Sequence, residues 1–440
     1  MAENPVERAF DAFNAGRKAE AAAICGNLLQ GEPLHAPALM LLGLIAEQEN
    51  RFEDAASLLE KSVGIETHPW SLITLASCLW RLRRLDDSLR YAELAVSRYP
   101  DFPDGHLVLA NSLHAMRRFD AALLRIREAK ILMPQSHLVE ARLGCIFEQL
   151  GDYDQAMLHF CLAERLMPKF VHCRLIDYRR ELWDEIKPGP DVHESKSDPD
   201  PTCDTVVATF CDGSYFYKYG ATFLNSFACN AARDKRLHLH VLDPPDGLGA
   251  FIGELTASTG LANVAVTTES APLTASGSDG QRKTFYSCAR FFHLNRLLEQ
   301  YQAPVACFDV DTIFEAPIDA LLASTAGMDA GLIARSPPDS PWLDIVANIV
   351  VANPTAPGRR YFAAVENFIR HFAERGEWFW HLDQIALHCV LKMMERFDTP
   401  PRVSWIDQAT SSIWHIGHAY DFKLRDGRFT KYQLDRPAAK

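Results

Sequence analysis

The sequence predicts two folds in one chain: an all-α helical solenoid over residues 1–186 and an α/β domain with a mainly parallel sheet over residues 205–440. The first prediction rests on a unit of 33 or 34 residues that occurs five times. The second rests on short β-branched runs that alternate with helical stretches, a pattern typical of sheets covered by helices. Residues 187–204 lie between the two and hold four prolines and few apolar side chains, which is typical of a linker.

The composition is that of a folded protein with a net negative charge. Apolar residues make up 48% and charged residues 23%, and 45 Lys and Arg against 57 Asp and Glu give a net charge of −12. Because nucleic-acid binding needs clustered basic residues, that function class is disfavoured. The N-terminal residues lack the features of a secretory signal, no apolar run reaches the ~18 residues of a membrane span, and the eleven cysteines form no CxxC pair. We therefore expect reduced thiols, no membrane span and a cytoplasmic location.

The helical repeats are recognised by three positions that recur in register. A small residue occupies the same place in every repeat, at Ala21, Ala55, Ser88, Ala122 and Ala156. Twelve residues later a proline ends the second helix in four repeats, at Pro33, Pro100, Pro134 and Pro168. Another small residue lies on the preceding helix, at Gly43, Ala76, Ala110 and Gly144. Small residues let paired helices approach closely, and proline ends a helix, so each unit is predicted to be a pair of antiparallel helices.

This pattern resembles the tetratricopeptide repeat family over roughly residues 4–186. The resemblance implies a stack of helix pairs in which residues 170–186 form a terminal helix that caps the array. It also implies a concave surface, which in repeat proteins commonly binds a protein or peptide. The alternative is that the array serves as a structural spacer or a dimerisation element.

Strands and helices are predicted in alternation along the second part. The strands are expected at Thr205–Cys211, Leu237–Leu242, Asn263–Thr267, Pro304–Phe308, Ala330–Ala334 and Ile345–Ala352. The helices are expected at Tyr217–Ala231, Leu248–Ser258, Tyr286–Tyr301, Arg359–Glu374 and Leu382–Glu395. Ligands of such sheets bind beyond the carboxyl ends of the strands, so polar residues just after a strand are the candidate site. No Walker P-loop is present and no GxGxxG follows a strand, which disfavours P-loop ATPases and Rossmann dehydrogenases.

The strongest chemical signal is a pair of aspartates, Asp309 and Asp311, at the end of a predicted buried strand. Residues i and i+2 of an extended backbone point to the same side, so the two carboxylates are expected to converge. Converging carboxylates repel unless a cation lies between them, and hard divalent ions prefer oxygen ligands. Two further D-x-D pairs, at residues 152–154 in a repeat turn and 198–200 in the linker, follow no such strand.

The second part resembles the GT-A-fold glycosyltransferases, particularly the family 8-like enzymes, over roughly residues 205–422. The D-x-D segment Cys307–Leu321 carries the resemblance. Four further segments match in the family's order, namely Val206–Tyr215, Tyr286–Phe291, Trp380–Gln384 and Ile413–His418. The stretch Val346–Asn353 keeps the family's asparagine but lacks its usual glycine.

The resemblance implies a Mn²⁺ or Mg²⁺ ion held by Asp309, Asp311 and His415 against the diphosphate of a nucleotide sugar, usually a UDP-sugar. It implies that the donor is contacted by six residues, namely Asp212, Tyr215, Arg290, Asp309, Val310 and Lys423. It places Asp383 and Gln384 near the sugar as the catalytic residues. It also implies retention of the anomeric configuration, whereas in an inverting mechanism Asp383 would be the base for the acceptor hydroxyl.

The histidines have structural alternatives. His415 is either the third metal ligand or an ordinary hydrogen-bonded histidine. A zinc site made from His415 and His418 is disfavoured, because no further Cys/His cluster shares their segment. His238 and His240 face one side of a predicted strand, and we expect both to be structural.

The remaining candidates also have a structural alternative. Asp212 is either a ligand contact or a local turn residue, and Arg290 either contacts phosphate or sugar or forms an ordinary salt bridge. Asp383 is either a functional carboxylate or a helix N-cap. Trp378 and Trp380 either stack on a sugar or belong to the core.

These features predict a cytoplasmic, metal-dependent glycosyltransferase of the hexosyltransferase type that moves a sugar to an acceptor, such as a protein, recruited by the repeats. One alternative is a non-catalytic repeat scaffold whose second domain is a relic that binds nucleotide sugar. Another is a metal-dependent nucleotidyltransferase, which the absence of a basic phosphate-binding loop near residues 205–215 disfavours.

Overall fold

A computed structural model describes residues 4–168, 171–186, 204–231, 234–270, 278–334, 340–407, 413–415 and 431–432. The chain divides into two compact units, Met1–Cys173 and Arg174–Lys440. The predicted linker, residues 187–204, lies outside the described residues except for Asp204.

The first unit consists of paired helices. Ten α-helices follow one another: α1 (Pro5–Asn14), α2 (Lys18–Gly31), α3 (Ala36–Gln48), α4 (Phe52–Ile65), α5 (Pro69–Arg81), α6 (Leu85–Arg98), α7 (Pro103–Ala115), α8 (Phe119–Leu132), α9 (His137–Gln149) and α10 (Tyr153–Leu166). They form five pairs, from α1 with α2 to α9 with α10, and each pair packs on the next. The predicted helical solenoid is confirmed, and the first repeat, whose first half has no clear sequence signal, is a complete pair.

The turn inside each pair uses one residue in the left-handed backbone region. These residues recur with the repeat and have φ between 58° and 79°: Gly16, Asn50, Arg83, Arg117 and Gly151. Glycine adopts this conformation readily, whereas an ordinary side chain there costs roughly 1–2 kcal/mol. The packing of the neighbouring helices must therefore hold the turns at Arg83 and Arg117.

Close contact between paired helices explains the small residues of the repeat. The recurring small residue of the second helix is fully buried in all five repeats, at Ala21, Ala55, Ser88, Ala122 and Ala156. On the facing helix, a Cβ added to Gly144 would lie 2.6 Å from the Phe160 ring, and one added to Gly43 would lie 2.6 Å from Leu59 Cγ. The repeat spacing in the sequence thus marks the points where two helices touch.

Residues 174–186 differ from the expectation that they cap the repeats. They include the end of a 3₁₀ turn (Val171–Leu175) and helix α11 (Arg180–Glu185), and they belong to the second unit. Arg396 donates from Nη1 to the carbonyl oxygen of Tyr178 at 3.3 Å. Such a contact with a residue more than 200 positions away cannot be read from a repeat pattern.

The second unit alternates strands and helices. Its strands are β1 (Thr205–Asp212), β2 (Lys235–Leu242), β3 (Val264–Glu269), β4 (Val305–Phe308), β5 (Thr312–Phe314), β6 (Ala330–Ala334), β7 (Ile345–Ala352), β8 (Val403–Trp405) and β9 (Ile413–His415). Its other helices are α12 (Gly213–Asn230), α13 (Leu248–Thr259), α14 (Asp279–Tyr301), α15 (Asp319–Thr325), α16 (Ala356–Ala373) and α17 (Leu382–Phe397). All six predicted strands and five predicted helices are present. Helix α14 begins seven residues earlier than predicted, at a capping box formed by Ser278 and Gln281.

Seven strands form one mixed sheet in the order β3-β2-β1-β4-β7-β6-β8, and β5 pairs with β9 in a separate two-stranded sheet. The predicted parallel arrangement holds for β1 to β4 and for β6 with β8, but β7 runs antiparallel to both β4 and β6. The reason is the length of one connection. Ten residues join β6 to β7, whereas a parallel crossover needs a dozen or more.

Helices cover both faces of this sheet. Val207, Leu239 and Phe308 pack with the apolar residues of α12 and α13 in one core. Residues of opposite parity point to the other face, where Phe210 of β1 packs against His293 of α14. Because both faces are covered, polar groups at the ends of the strands can reach a ligand only along the edge of the sheet where the strands end.

Two expectations from the sequence concern the cysteines, expected to be reduced, and the helices, of which none is expected to span a membrane. The ten cysteines within the described ranges are free, and eight of them are buried. Burial raises the pKa of Cys25 to about 11, which makes its thiolate rare at neutral pH. None of the helices that the structure describes is long and apolar enough to cross a lipid bilayer.

Two glycine substitutions should have opposite effects on the repeat unit. Gly144→Ala is expected to lower the free energy of unfolding by about 1–3 kcal/mol, because the new methyl group overlaps the Phe160 ring. Gly26→Ala, on α2, is expected to raise it by about 0.5–1 kcal/mol, because no atom lies within 4 Å of the added Cβ and alanine favours the helix. Urea denaturation followed by circular dichroism measures both. Equal effects of the two substitutions would contradict the packing argument.

Candidate functional site

The carboxyl ends of β1 and β4 lie side by side at a reversal in the sheet order. From β1 the chain adds β2 and β3 on one side and then returns to add β4 on the other. Such a reversal leaves a crevice at the carboxyl ends of the strands, where open α/β sheets bind ligands. Asp212 ends β1 and Asp309 directly follows β4, so the sequence-predicted residues lie at this crevice.

Asp309 and Asp311 lie in a turn rather than in the extended backbone assumed for their convergence. The backbone N–H of Thr312 donates to the carbonyl oxygen of Asp309 at 3.0 Å and closes the turn. The two side chains have different partners. Asp309 Oδ1 accepts a hydrogen bond from Arg290 Nη2 at 2.5 Å, and Asp311 Oδ2 accepts one from the Tyr215 hydroxyl at 2.9 Å.

Arg290 is buried and held by three acceptors. Besides its bond to Asp309, it donates from Nη1 to the carbonyl oxygen of Ala347 at 2.6 Å and from Nε to that of Ser287 at 3.2 Å. Burial acts to lower the pKa of Arg290, but the nearby charges of Asp309 and Asp383 outweigh it, and the pKa is raised. Arg290 is therefore a fixed positive charge that orients Asp309. Its contact to phosphate or sugar stays a prediction.

Asp383 supplies a third carboxylate to the same place. It lies in the first turn of α17, is 5% exposed, and accepts a hydrogen bond from the N–H of Gln384 at 2.9 Å. Burial raises the pKa of Asp383, Arg290 partly offsets this effect, and Asp309 adds to it. The alternative of a helix N-cap does not hold, because His381 occupies that position with a φ of 71°.

The turn from β1 into α12 holds Asp212 and Tyr215. Asp212 Oδ1 accepts hydrogen bonds from the N–H of Tyr215 at 3.0 Å and from the Ser214 hydroxyl at 2.5 Å, so it caps α12. Burial and the charge of Asp311 raise the pKa of Tyr215, which therefore remains a hydrogen-bond donor to Asp311. Asp212 therefore acts as the local turn residue that was one of its two predicted roles. Its contact to a ligand stays a prediction.

Val310, between the two aspartates, turns its side chain away from the crevice. It is 2% exposed and belongs to the apolar core beneath α12. Only its backbone groups are therefore available for the donor contact that the resemblance implies.

Asp243 follows β2 at the same edge of the sheet and is not among the residues predicted for the site. Asp243 Oδ2 accepts a hydrogen bond from the Tyr286 hydroxyl at 2.9 Å. Burial and this bond raise the pKa of Tyr286 to about 12. The loop after β2 also packs closely on the start of α12, since a Cβ on Gly213 would clash with Pro245. The rule that selected Asp309, a polar residue directly after a predicted strand, also selects Asp243.

The backbone of His415 lies beside the turn that holds Asp309 and Asp311, which we call the aspartate turn. Strand β9 pairs antiparallel with β5, which places His415 opposite Thr312, the residue after Asp311. The described residues do not include the side chain of His415, and they do not include His418 or Lys423. The roles of these side chains as metal ligand and phosphate contact stay predictions.

Three buried side-chain oxygens on residues near this edge have no hydrogen-bond partner within the described part of the chain: Asn348 Oδ1, Gln384 Oε1 and Thr312 Oγ1. Asn348 lies against the turn, because its carbonyl oxygen accepts from the N–H of Asp309 at 3.3 Å. Each buried polar atom that is left unpaired lowers the free energy of unfolding by about 1–3 kcal/mol. This grouping fits a crevice that a polar ligand completes, and its oxygen-rich donors fit Mn²⁺ or Mg²⁺ better than a soft metal.

The two tryptophans near Asp383 differ in environment. Trp378 is 9% exposed and packs edge-on against Phe285, with ring centroids 5.5 Å apart, so it belongs to the core. Trp380 is 55% exposed. Only Trp380 is therefore free to stack on a sugar or acceptor.

The first unit matches family models of the tetratricopeptide repeat. One model matches residues 6–67 and 73–137, and a second matches residues 141–170. The N-terminal unit therefore contains tetratricopeptide repeats, as its resemblance implied. No curated protein matches the chain.

Solved tetratricopeptide structures are similar to part of the chain. YrrB, described as a tetratricopeptide protein with an unusual peptide-binding site, is 16% identical, covers 39% of this chain and 90% of its own, and gives a TM-score of 0.34. MamA is 18% identical, covers 37% of this chain and 96% of its own, and gives a TM-score of 0.33. Each similarity spans less than two fifths of this chain.

Removing the buried charge of Asp383 should stabilise the fold at neutral pH. We expect Asp383→Asn to raise the free energy of unfolding at pH 7 by about 0.5–2 kcal/mol. The pKa of Asp383 is higher in the folded protein than in the unfolded chain, where it is 3.8. As the pH rises above 3.8, the unfolded chain therefore loses this proton first, and the free energy of unfolding of the wild type falls. The gain should therefore shrink as the pH falls towards 3.8.

Asp319→Asn is the matched control. Asp319 is exposed, and its hydrogen bond from Lys235 lowers its pKa, so this substitution should bring no gain at pH 7. Urea denaturation at several pH values measures both variants. An Asp383→Asn variant that is less stable than wild type at pH 7 would show that the carboxylate has a structural role.

Proposed function

We propose that the second unit is a metal-dependent glycosyltransferase that takes its sugar from a nucleotide-sugar donor, with a UDP-sugar as the first candidate. The observation that carries the proposal is the position of Asp309 and Asp311 in the turn after β4, at the switch point of the sheet, with Asp309 and Asp383 beside the buried Arg290. Three carboxylates at a ligand-binding crevice are costly unless a cation and a polar substrate complete them.

In this proposal Asp309 and Asp311 hold Mn²⁺ or Mg²⁺, with His415 as the third ligand. The ion would neutralise the diphosphate as it leaves the sugar. Arg290 and Tyr215 fix the two carboxylates from opposite helices, α14 and α12, at 2.5 Å and 2.9 Å. A prearranged site of this kind lowers the barrier because its groups do not reorganise during the reaction.

Asp383 and Gln384 are proposed to act on the sugar. A carboxyl group with a raised pKa is suited to take the acceptor hydroxyl's proton or to bind a sugar hydroxyl. The unpaired Gln384 Oε1 can accept a hydrogen bond from the same sugar. In the transfer, the bond from sugar C1 to the diphosphate oxygen breaks, a bond from C1 to the acceptor oxygen forms, and the proton of the acceptor hydroxyl passes to Asp383 or to the leaving diphosphate.

The repeats are proposed to recruit the acceptor. Tetratricopeptide arrays form extended concave surfaces that bind proteins and peptides, and this unit has five helix pairs. A protein acceptor therefore fits the combination of the two units better than a small molecule does.

A thermal-shift panel of nucleotide sugars, with and without Mn²⁺, tests the donor and separates the rival functions. A Mn²⁺-dependent rise in Tm with one nucleotide sugar supports the proposal. No rise with any nucleotide sugar would contradict the proposal, whereas a rise without release of nucleoside diphosphate would favour a scaffold whose relic domain still binds nucleotide sugar. Release of pyrophosphate from a nucleoside triphosphate and a sugar phosphate would identify a nucleotidyltransferase.

Asp311→Asn should lower the turnover of the selected donor at least about 100-fold, because the metal loses a carboxylate ligand while the shape of the side chain is kept. The rate is measured as release of nucleoside diphosphate with Mn²⁺ present. Asp154→Asn is the control, because Asp154 belongs to another D-x-D pair, lies in the first turn of α10 in the last repeat, and should leave the rate unchanged. Near-wild-type turnover by a folded Asp311→Asn variant would contradict the metal site.

A shortened chain that begins at Arg174 should keep donor hydrolysis and lose transfer to macromolecular acceptors. The division of the chain after Cys173 sets this cut, because residues 174–186 belong to the second unit. Incorporation of labelled sugar into the proteins of a cell lysate measures transfer, and the full chain is the control. Equal incorporation by both chains would leave the repeats without a role in acceptor recruitment.

A further inference from the structure

A second cluster of ligand-type side chains lies within β2, β3 and α14, away from the aspartate turn. It consists of His240 on β2, Glu269 at the end of β3 and His293 on α14. The Nε2 atom of His293 lies 2.8 Å from Glu269 Oε2, and that of His240 lies 3.5 Å from the same oxygen. One ligand atom from each residue lies within 4.8 Å of the others.

A chain of hydrogen bonds behind His240 can fix its tautomer. His240 Nδ1 lies 2.8 Å from Thr267 Oγ1, which lies 2.9 Å from His238 Nε2, and His238 Nδ1 lies 2.9 Å from the Tyr301 hydroxyl. If each group donates to the next in that order, His240 carries its proton on Nδ1 and presents the lone pair of Nε2. Histidine ligands of metals are oriented by hydrogen bonds of this kind.

The Nε2 atom of His240 is buried and has no hydrogen-bond partner among the described residues, although Glu269 Oε2 lies 3.5 Å away. The whole His240 residue is 4% exposed. Phe210 packs on the rings of His240 and His293, with centroids 5.3 Å and 6.0 Å away. A buried, unsatisfied nitrogen that faces a carboxylate needs a physical reason.

The two histidine rings lie close together, with centroids 4.2 Å apart. Two like-charged rings would repel at this distance, whereas neutral imidazole is the species that coordinates a metal.

We propose that His240, His293 and Glu269 form a site for Zn²⁺ or a similar borderline transition-metal ion, distinct from the hard-cation site at Asp309 and Asp311. Zinc bonds of about 2.0–2.1 Å in tetrahedral geometry place ligand atoms ~3.4 Å apart. The two separations from Glu269 Oε2, 2.8 Å and 3.5 Å, lie near that value, and all three ligand atoms lie within 4.8 Å of one another. The Glu269 side chain is 41% exposed, which leaves an entry path and a fourth position for water.

The charge of Glu269 is essential to this site. Arg296 and Arg370 act on His293 as nearby positive charges, and they oppose the arrival of a cation. Glu269 is the cluster's own negative charge. The metal would also hold α14 to the sheet one helical turn beyond Arg290, and so stiffen the helix that orients Asp309.

Zinc titration of the full chain tests the site. The protein is stripped of metal with EDTA and titrated with Zn²⁺ by calorimetry in excess Mg²⁺, which occupies the hard-cation site. We expect one Zn²⁺ bound at micromolar concentration or below, with a rise in Tm. His293→Gln should weaken binding at least about 100-fold, and Thr267→Val about 10-fold, because Thr267 only orients His240.

The matched control is His371→Gln. His371 also pairs with a carboxylate, Glu185 at 3.3 Å, but it belongs to no three-ligand cluster in the described part of the chain. Its substitution should leave zinc affinity unchanged. If His293→Gln does not fold, zinc affinity is measured instead on Glu269→Gln, at the exposed side of the cluster, and the same weakening is expected. Absence of micromolar zinc binding by wild type, or equal affinities of the cluster and control variants, overturns the proposal.

Discussion

The candidate site depends on one buried positive charge. A guanidinium group stays protonated at any relevant pH, so burying Arg290 requires that carboxylates and carbonyl oxygens replace its hydration. Asp309 and the carbonyl oxygens of Ala347 and Ser287 do this directly, and the charge of Asp383 contributes from nearby. These residues belong to α14, the turn after β4, β7 and the start of α17. The groups around this charge therefore come from four separate parts of the chain and meet at one edge of the sheet.

The three carboxylates at this edge of the sheet have different surroundings, although all are aspartates. Asp309 accepts a hydrogen bond from the guanidinium of Arg290, Asp311 accepts one from the hydroxyl of Tyr215 on the opposite side of the sheet, and Asp383 is buried with a raised pKa. Different surroundings allow chemically identical groups to take different roles. The division of roles that we propose, with two aspartates for the ion and Asp383 for the sugar, rests on these differences.

The sequence predicted the parts of the structure that depend on local patterns. The repeat helices and the six longer strands follow from small residues, prolines and apolar runs. Strands β5, β8 and β9 have three residues each, too few for a periodicity to appear. The direction of β7 depends on the length of one connection, and the placement of residues 174–186 depends on distant contacts.

The site itself was predictable only in part. Placing polar residues after strands identified Asp212, Asp309 and Asp311, and the same rule would have identified Asp243. The turn at Asp309 and the partnership with Arg290 depend on tertiary packing that no spacing in the sequence reveals. His240 was expected to be structural because alternation along a strand reports which face a residue occupies. It does not report which residues of β3 and α14 meet it there.

The pairing of β5 with β9 has a consequence for the order in which a ribosome releases the chain. It joins Thr312 to His415, and Asn225 of α12 donates to the carbonyl oxygen of Tyr432, 207 residues further on. Each repeat packs on the next, so the array can fold as it emerges. The crevice cannot close until the segment around residue 432 has left the exit tunnel. A chain that stops before this segment would therefore carry folded repeats together with an incomplete second unit.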